Sequence, residues 1–434
     1  MTDGPTVTVP SDYLSNLEKK VRDLNSLMEV SSIISSTLDL SDLITLVMEK
    51  SKSVILAEAC SILLYNREIN KLEFAVALCE KDPDSEKLKG RTVDMGQGIA
   101  GWVAEHRKSL IIEDAQNDSR FYREADKLTG FVTRSVVAAP LIGRSGLVGV
   151  AELLNPKDKD SFDSYDAEIF QALCRQIAVA IENALFHRAA VEEERLNREL
   201  EVAAIVQHSF LPESPVLEKG NVRVSAISVP ASQVGGDVYD FLELGADRIG
   251  VLIGDVSGKG VSAALYMAKV VSEFRNIAHR TDSPDETLQQ LHERLSSSPR
   301  GMFLTCIYLI VDTLTGNARL SVAGHPPFFH IHEGKVEVMA LPSGPPLGIV
   351  ESEYPVESLS LSAGNKIILL TDGVFDAQSP GGKRLGFEEV TDMVRDYADE
   401  DSIIQSIADN VDTYAKNTKR ADDLTLVQIE LNEL

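Results

Sequence analysis

The sequence predicts an α+β protein of more than one domain, with a long helix between the domains. Its 434 residues suggest two to four domains at roughly 100–200 residues per domain. In the C-terminal half, apolar strand patterns come in consecutive groups with helical patterns inserted, which favours α+β over a parallel βαβ repeat. Between the halves, a helical pattern continues without glycine or proline until Pro212, which predicts a rod between domains.

The chain is strongly acidic. It has 42 Lys and Arg residues against 67 Asp and Glu residues, a formal net charge of −25. Because this charge repels nucleic-acid phosphates and anionic membrane surfaces, we expect no nucleic-acid and no membrane partner. The four cysteines form no CxxC pair, the N-terminus has no export signal, and no apolar run reaches the roughly 20 residues of a membrane span. These features predict a reduced, cytoplasmic protein.

Residues 1–26 are predicted to form an N-terminal helix. Apolar positions between Leu14 and Ser31 step by 3, 4, 3, 4 and 3 residues, which is the spacing of a heptad seam. Such a seam favours a homodimer in which two copies of the helix pair. The alternative is that the helix packs on its own domain.

Residues 27–188 are predicted to form the first domain. Its pattern begins with a helix, two strands and a polar loop, continues with a glycine turn and a short helix that carries Trp102, and ends with two strands and a long helix. The predicted elements are a helix at 42–56, strands at 60–65, 72–78, 135–142 and 147–154, and a final helix from Asp163.

This domain resembles a GAF domain, a small sensor module. The resemblance rests on the segments GQGIAGWVAEHRKSLIIEDAQNDSRF, RSVVAAPL and GVAELLNP, followed by a helix, and it implies a small-molecule ligand. Asn155, Lys157, Phe162 and Asp166 match the Asn-Lys-Phe-Asp-Glu pattern of members that bind cyclic nucleotides, but Ala167 stands where the acidic residue should follow. The alternative interpretation of these four residues is a strand end and a helix cap.

Residues 189–212 are predicted to be a helical linker. Glutamates and arginines are interleaved along it, as on a solvated or paired helix. Such a helix would carry a signal between the domains and would extend the contact of a homodimer. The alternative is a spacer that stops at a proline.

Residues 213–434 are predicted to form the second domain, which is rich in strands. Strands are expected at 222–229, 248–254, 303–312, 319–323, 328–332, 366–371 and 424–431. Helices are expected at 262–279, 284–295, 387–398 and 402–416.

Four aspartate sites in this domain fall at the ends of apolar runs. They are Asp237 in VGGDVYDF, Asp255 in LIGDVSGKG, Asp372 in LLTDGVFDA, and the pair Asp422 and Asp423 in RADDLTLVQI. Carboxylates that converge at the edge of a buried sheet repel one another and raise their own pKa values unless cations neutralise them. Because no His or Cys cluster accompanies these acids, Mg²⁺ or Mn²⁺ with oxygen ligands fits best.

The ordered segments GGD, GDVSGKG, MFLTCIYLIVD, AGHPPFF, GPPLGI, TDGVFDA and DDLT resemble the sporulation and stress-response branch of the bacterial PPM (PP2C-like) protein phosphatases. The resemblance extends from Gln207 to the C-terminus. The end of the linker, EVAAIVQHSFLPESP, also resembles the short helix and Leu-Pro exit in front of that catalytic domain. The resemblance implies two antiparallel β-sheets flanked by helices, with a binuclear Mn²⁺ or Mg²⁺ site between the sheets.

The resemblance also implies ligands for the first metal. Asp237 and Asp255 match these ligands, with Asp255 bridging both ions. The main-chain carbonyl of Val256 is expected to contribute as well.

For the second metal, the resemblance implies Asp372 and Asp422 as ligands. Asp423 is an alternative to Asp422, since the doubled acid leaves the register ambiguous by one residue. Asp376 matches an acidic position that some members use for a weaker third metal. Its alternative interpretation is a surface or turn acid.

Taken together, the resemblances imply a metal-dependent protein serine/threonine phosphatase regulated by a GAF sensor. Two ions about 3.5–4 Å apart can hold a shared hydroxide and stabilise an in-line displacement, so no protein nucleophile is needed. The implied substrate is a phosphorylated STAS-type anti-sigma-factor antagonist in a bacterial partner-switching pathway. The alternative is a non-catalytic, ligand-binding scaffold that keeps the phosphatase fold, although all the expected acid sites are present.

Other motifs in this domain predict no further site. GGDVYDF lacks the acidic-aromatic pair of a GGDEF signature, and GDVSGKG lacks the first glycine and the Ser or Thr of a phosphate-binding P-loop. His330 and His332 alternate on one strand face, but no cysteine or further histidine supports a zinc site. His325 has no sequence support as a general acid. Cys306 lies in an apolar strand and is predicted to be a buried structural thiol.

Overall fold

The computed structural model describes residues 40–79, 87–297, 301–416, 418 and 420–432, together with positions 14 and 21. The chain divides into two compact units, Met1–Glu194 (unit 1) and Arg195–Leu434 (unit 2). Apart from positions 14 and 21, the predicted heptad helix lies outside the described residues. The homodimer predicted from it therefore stays a prediction.

Unit 1 is built on one antiparallel six-stranded sheet with the order β3-β2-β1-β6-β5-β4. Its helices are α1 (Leu40–Val54), α2 (Gly98–His106), α3 (Glu124–Thr129) and the start of α4 (Ser164–His208). Its strands are β1 (Ala57–Asn66), β2 (Lys71–Cys79), β3 (Thr92–Asp94), β4 (Leu110–Ile112), β5 (Val136–Gly143) and β6 (Gly146–Pro156).

Alternation along the strands gives this sheet two apolar faces. On one face, Val47 of α1 and Ile177 of α4 pack against Ile62 of β1. On the other face, Val103 of α2 packs against a cluster that includes Val150 of β6. Because successive strand residues point to opposite sides, the central strands β1 and β6 are buried on both faces. The predicted strands and helices of this domain are confirmed, and β3 and β4 are additional short edge strands.

The helix α4 has 45 residues. It begins where predicted because the Asp163 carboxylate accepts hydrogen bonds from the backbone N–H groups of Tyr165 (2.9 Å) and Asp166 (3.1 Å) and so caps its first turn. Among the described helices, α4 is the one long and apolar enough to cross a membrane by length and composition alone, and nearly half of its most apolar window is buried in the protein. Its residues Phe170 and Ile181 belong to the core of unit 1.

Unit 2 contains two antiparallel sheets. One has the order β15-β12-β11-β10-β9 and the other has the order β14-β13-β16-β17-β8-β7. The strands are β7 (Val216–Lys219), β8 (Val222–Val229), β9 (Val238–Glu243), β10 (Arg248–Val256), β11 (Leu304–Asp312), β12 (Asn317–Ala323), β13 (Phe328–His332), β14 (Lys335–Met339), β15 (Glu357–Ser360), β16 (Lys366–Leu370) and β17 (Leu424–Leu431). The helices are α5 (Val261–Ala278), α6 (Pro284–Leu295), α7 (Phe387–Asp396) and α8 (Ile403–Ala415).

The two sheets pack face to face, and helices cover their outer faces. Val251 of β10 and Leu369 of β16 point into the layer between the sheets. The neighbouring residues Leu252 and Leu370 point outward, against α5 and α6 on one side and α7 and α8 on the other. The two flanked antiparallel sheets expected from the sequence are therefore confirmed.

Four strands of unit 2 were not predicted: β7, β9, β14 and β15. Their sequences lack a long apolar run, and all four lie at the edge of a sheet. In β14, for example, Lys335, Glu337 and Val338 are exposed, and only Val336 and Met339 are partly buried. Strand pairing rather than residue preference determines these elements.

Candidate metal centre and sensor cavity

The predicted acidic residues meet at one end of the two-sheet sandwich of unit 2. Asp237 directly precedes β9 and Asp255 lies near the end of β10; these strands pair antiparallel, with Gly254 opposite Val238. Asp372 follows β16 and the Asp422–Asp423 pair precedes β17, which also pair antiparallel. The ends of four strands, two from each sheet, thus bring the predicted ligand residues together.

A hydrogen bond connects the two sheets within this cluster. The Thr371 hydroxyl donates to Oδ2 of Asp237 (2.8 Å), and the same hydroxyl accepts from the backbone N–H of Thr425 (3.0 Å). Both threonines are fully buried. Sequence reasoning did not single them out, since they look like ordinary strand residues beside the aspartates.

The carboxylates destabilise one another's ionised forms. Burial and the neighbouring Asp255 raise the pKa of Asp237 well above its usual range. Burial and the charges of Asp372 and Asp422 raise the pKa of Asp255 to about 7. Burial and Asp422 raise the pKa of Asp372 as well. Divalent cations would relieve this repulsion, and a set of oxygen donors suits Mg²⁺ or Mn²⁺.

The two adjacent aspartates have different surroundings. The Asp423 carboxylate is buried and accepts backbone N–H groups from Ala231 (2.7 Å), Gly236 (2.5 Å) and Asp237 (3.4 Å). It therefore holds the loop that carries Asp237. Asp422 is more exposed; its Oδ2 lies 2.9 Å from Nζ of Lys259, and its charge acts on both Asp255 and Asp372.

Two glycines permit the close approach of these loops. A Cβ at position 236 would lie 2.9 Å from the carbonyl oxygen of Val256 and 3.6 Å from Oδ1 of Asp255. A Cβ at position 373 would lie 1.7 Å from the carbonyl oxygen of Asp423, which leaves no room for a side chain. The Val256 carbonyl is thus beside the carboxylates, where the sequence placed it.

The remaining predicted residues have distinct environments. Asp376 forms an ion pair with Arg384 (3.1 Å) and its charge contributes to the raised pKa of Asp372. His325 is buried, and burial lowers its pKa to about 4. A ring with that pKa is neutral at neutral pH and lacks the acidic imidazolium proton, so the histidine does not fit a general acid. Cys306 is buried and burial raises its thiol pKa, as predicted for a structural thiol.

A tighter group of potential metal-ligand atoms lies outside the aspartate cluster in unit 2. Among the described residues, a group of three ligand atoms within 4.8 Å of one another occurs at His330, His332 and Glu337. The aspartates are spread more widely, and a pair of ions about 3.5–4 Å apart needs ligands over a larger area than one ion does. The sequence offers no cysteine or further histidine beside this pair, and strand pairing adds the carboxylate of Glu337 from the neighbouring strand β14.

Unit 1 contains a cavity of about 100 Å³ between its sheet and the segment 97–133. Its lining is mainly apolar and includes Phe74 and Phe121, while Ser61 and Glu152 contribute polar groups. The Ser61 hydroxyl donates to Oε2 of Glu152 (3.0 Å). Burial raises the pKa of Glu152 to about 7. The volume is below the roughly 150 Å³ of a cavity that holds benzene, so a cyclic nucleotide does not fit in it as it stands.

The residues that match the cyclic-nucleotide pattern have structural contacts. Asn155 Oδ1 accepts the backbone N–H groups of Arg134 (2.7 Å) and Ser135 (3.2 Å) at the end of β6. Asp166 accepts the backbone N–H of Asp163 (2.9 Å) in the first turn of α4. Within the described part of unit 1, neither side chain lines the cavity. These contacts correspond to the strand end and the helix cap of the alternative interpretation.

Comparison with known proteins divides the chain in the same way. Residues 39–181 match the GAF domain family and residues 245–432 match the family of stage II sporulation protein E (SpoIIE). Asp237 lies outside the second match, which therefore does not bear on its place in the cluster.

The chain is 28% identical over 232 residues to phosphoserine phosphatase RsbU of Bacillus subtilis, which covers 52% of this chain and 68% of RsbU. It is 26% identical over 265 residues to Protein IcfG of Synechocystis, which covers 54% of this chain. The chain spans 42% of the length of IcfG. Among solved structures, the SiaA-PP2C domain of Pseudomonas aeruginosa superposes with a TM-score of 0.51 at 20% identity, over 56% of this chain and 100% of that domain. This last likeness supports the fold of unit 2.

The buried Glu152 predicts a pH effect on unit 1. Folding raises the pKa of Glu152 from its ordinary value of 4.5 to about 7. The protonated carboxyl therefore stabilises the folded state at low pH, and this contribution to stability is lost as the pH rises from about 4.5 to about 7. We expect Glu152→Gln to raise the thermal midpoint of unit 1 by a few degrees at pH 8 and to change it little at pH 5. Differential scanning calorimetry checks this, with the exposed Glu113→Gln as control. Equal shifts at both pH values would contradict the burial of an ionisable carboxyl.

Proposed function

The chain carries a GAF domain followed by a SpoIIE-type PP2C phosphatase domain, and from this premise we propose that it hydrolyses phosphoserine or phosphothreonine in a protein with two divalent cations, Mn²⁺ or Mg²⁺. The observation that supports this activity most is the cluster of buried carboxylates with raised pKa values at the end of four strands. Such a cluster is unfavourable without cations, and a pair of ions that activates water requires no protein nucleophile.

We assign the ligands as follows. Asp237, Asp255 and the carbonyl of Val256 would hold the first ion, and Asp255 would also serve the second. Asp372 and Asp422 hold the second ion. Both oxygens of Asp423 already accept backbone N–H groups, so Asp423 positions the loop rather than a metal.

Asp376 is the proposed ligand of a weaker third ion. Its carboxylate is engaged by Arg384. An ion bound there has to displace this pair, which agrees with weak affinity.

The two ions would supply a shared hydroxide and neutralise the transferred phosphoryl group. The chain itself orients the ligands: the hydroxyl of Thr371 fixes one oxygen of Asp237, and Lys259 pairs with Asp422. Lys259 is 63% exposed, so its positive charge is accessible to an anionic phosphoprotein.

The proposed substrate is the phosphorylated STAS-type antagonist of an anti-sigma factor that the family resemblance implies, acting in the cytoplasm. With a net charge of −25, the chain does not attract an acidic protein over long distances. Recognition therefore depends on the metal centre and on local contacts. The alternative function, a scaffold without catalysis, does not explain why every expected acid site is retained at one place.

Regulation is proposed to reach the site through the end of α4. The side chain of Gln207 donates from Nε2 to the carbonyl oxygen of Gly235 (2.5 Å) and accepts the backbone N–H of Gly235 at Oε1 (3.1 Å). Gly235 belongs to the loop that carries Asp237. A change in the GAF domain or in a homodimer contact that shifts the end of this helix would thus move a first-metal ligand.

A second contact holds the segment after α4. The Arg275 guanidinium makes a bidentate pair with the buried Asp240 of β9 (2.7 and 3.0 Å) and donates to the carbonyl oxygen of Phe210 (2.8 Å). The helix end is thereby connected at two points to the start of β9.

The phosphatase activity has a direct test. The purified chain is expected to release phosphate from a phosphoserine protein with Mn²⁺ or Mg²⁺ and not with a chelator. Asp255→Asn removes the proposed bridging ligand and should lower kcat/KM by about a thousandfold or more. The exposed Asp399→Asn is the matched control and should retain full activity. Undiminished turnover of the Asp255 variant would rule out the proposed mechanism.

The assignment within the aspartate pair predicts two different defects. Asp422→Asn should weaken Mn²⁺ binding by about tenfold or more with little change in thermal midpoint, because its side chain is partly exposed and accepts only the adjacent backbone N–H of Asp423 (3.0 Å). Asp423→Asn should lower the thermal midpoint of unit 2, since an NH₂ group replaces one of the two oxygens that accept buried backbone N–H groups. Calorimetric titration and thermal melts measure the two effects. A lower thermal midpoint for Asp422→Asn together with weaker Mn²⁺ binding for Asp423→Asn would assign the metal to Asp423.

The contact at Gln207 predicts a change in metal dependence. Gln207→Ala removes two hydrogen bonds to the loop of Asp237 and should raise the Mn²⁺ concentration for half-maximal activity about tenfold, with a smaller change of kcat at saturating Mn²⁺. Glu201→Ala, an exposed change on the same helix, is the control. An unchanged Mn²⁺ dependence of the Gln207 variant would exclude this contact as the route of regulation.

A further inference from the structure

The hairpin β13–β14 carries two histidines and a glutamate on one face. His330 and His332 are two residues apart on β13, so their side chains share a face. Glu337 is the cross-strand partner of His330. Directly paired residues project to the same side of an antiparallel sheet. The three side chains therefore converge through strand pairing.

Their distances suit a metal ion. Nε2 of His332 lies 3.3 Å from Oε2 of Glu337, and all three ligand atoms lie within 4.8 Å of one another. A tetrahedral zinc site with bonds of about 2.0–2.2 Å has ligand atoms roughly 3.3–3.5 Å apart. One pair is already at this separation, and the third atom needs a movement of about 1 Å, which a side-chain rotation supplies.

The surroundings of His330 give independent support for a metal site. The residue is 9% exposed, and its Nε2 atom is buried without a hydrogen-bond partner among the described residues. An unsatisfied buried nitrogen of this kind is costly. Burial and the adjacent His332 lower the pKa of His330, which favours the neutral ring that binds metals. Coordination of an ion would satisfy the buried nitrogen.

From this geometry we propose that His330, His332 and Glu337 form a site for a Zn²⁺-class transition-metal ion that is separate from the aspartate centre. Two imidazoles and one carboxylate are a known zinc ligand set, with a fourth position open to water. Imidazole nitrogens select against Mg²⁺, whereas the all-oxygen aspartate cluster accepts it. Each centre of unit 2 thus has its own metal preference.

The two centres lie at opposite ends of the same strand. His330 pairs with Ile367 and Ile331 pairs with Lys366, at the start of β16. Asp372 follows the end of β16. The five residues from Ile367 to Asp372 correspond to roughly 17 Å at about 3.3 Å per residue. A single ion cannot contact both groups.

The ion would have a structural effect at this position. Strand β14 is at the edge of its sheet and pairs with β13 alone, and its residues are largely exposed. An ion bridging Glu337 to the two histidines would fix the register of this pair, which few buried side chains specify.

Cobalt titration tests the site in the full-length protein. With Mg²⁺ in large excess to occupy the aspartate centre, Co²⁺ should bind with one equivalent per chain and give the visible absorption of a four- or five-coordinate ion, and Zn²⁺ should displace it. His332→Ala and Glu337→Gln should each weaken Co²⁺ binding by about ten- to a hundredfold. His279→Ala, an exposed histidine of the same unit, is the control and should bind as the unchanged protein does.

Thermal melts provide a second readout. Zn²⁺ should raise the thermal midpoint of unit 2 in the unchanged protein and not in the His332 variant. The proposal is overturned if no Co²⁺ binds in the presence of Mg²⁺. It is also overturned if Co²⁺ binding survives both hairpin substitutions, or is lost in Asp255→Asn instead.

Discussion

The C-terminal unit depends on the mutual repulsion of carboxylates that its two sheets bring to one end. Asp237 precedes one strand, Asp255 lies near the end of another and Asp372 follows a third, so the packing of the sandwich fixes their positions. Burial and neighbouring charges then raise their pKa values. An arrangement so unfavourable for the protein alone fits a centre that binds divalent cations tightly.

The groups around the cluster reduce the cost of holding it. Asp423 accepts the N–H groups of the loop before β9, and Thr371 joins the two sheets by a hydrogen bond to Asp237. Glycines at 236 and 373 let loops pass where a Cβ would collide. Ligand positions are therefore set by backbone packing, and the same loop is in contact with Gln207 at the end of the long helix. This contact connects the loop of Asp237 to the end of the helix.

The sequence predicted much of this arrangement. Long apolar runs such as β10 and β16 are recognisable because they are buried on both faces, and the aspartates at their ends stand out by position. The choice between Asp422 and Asp423 could not be made, since it depends on which carboxylate meets the N–H groups of a loop almost 190 residues away. The partnership of Glu337 with two histidines depends on the register of β13 and β14, and β14 has too little apolar character to be recognised as a strand.

The central claim is that the carboxylate cluster holds two neighbouring ions, which Mn²⁺ binding followed by electron paramagnetic resonance tests most directly. With Zn²⁺ present to occupy the histidine hairpin, the account predicts two Mn²⁺ ions per chain with the spectrum of an exchange-coupled pair, and loss of that coupling in Asp255→Asn. A single Mn²⁺ ion per chain with an uncoupled six-line spectrum, or coupling that survives in the Asp255 variant, would contradict it.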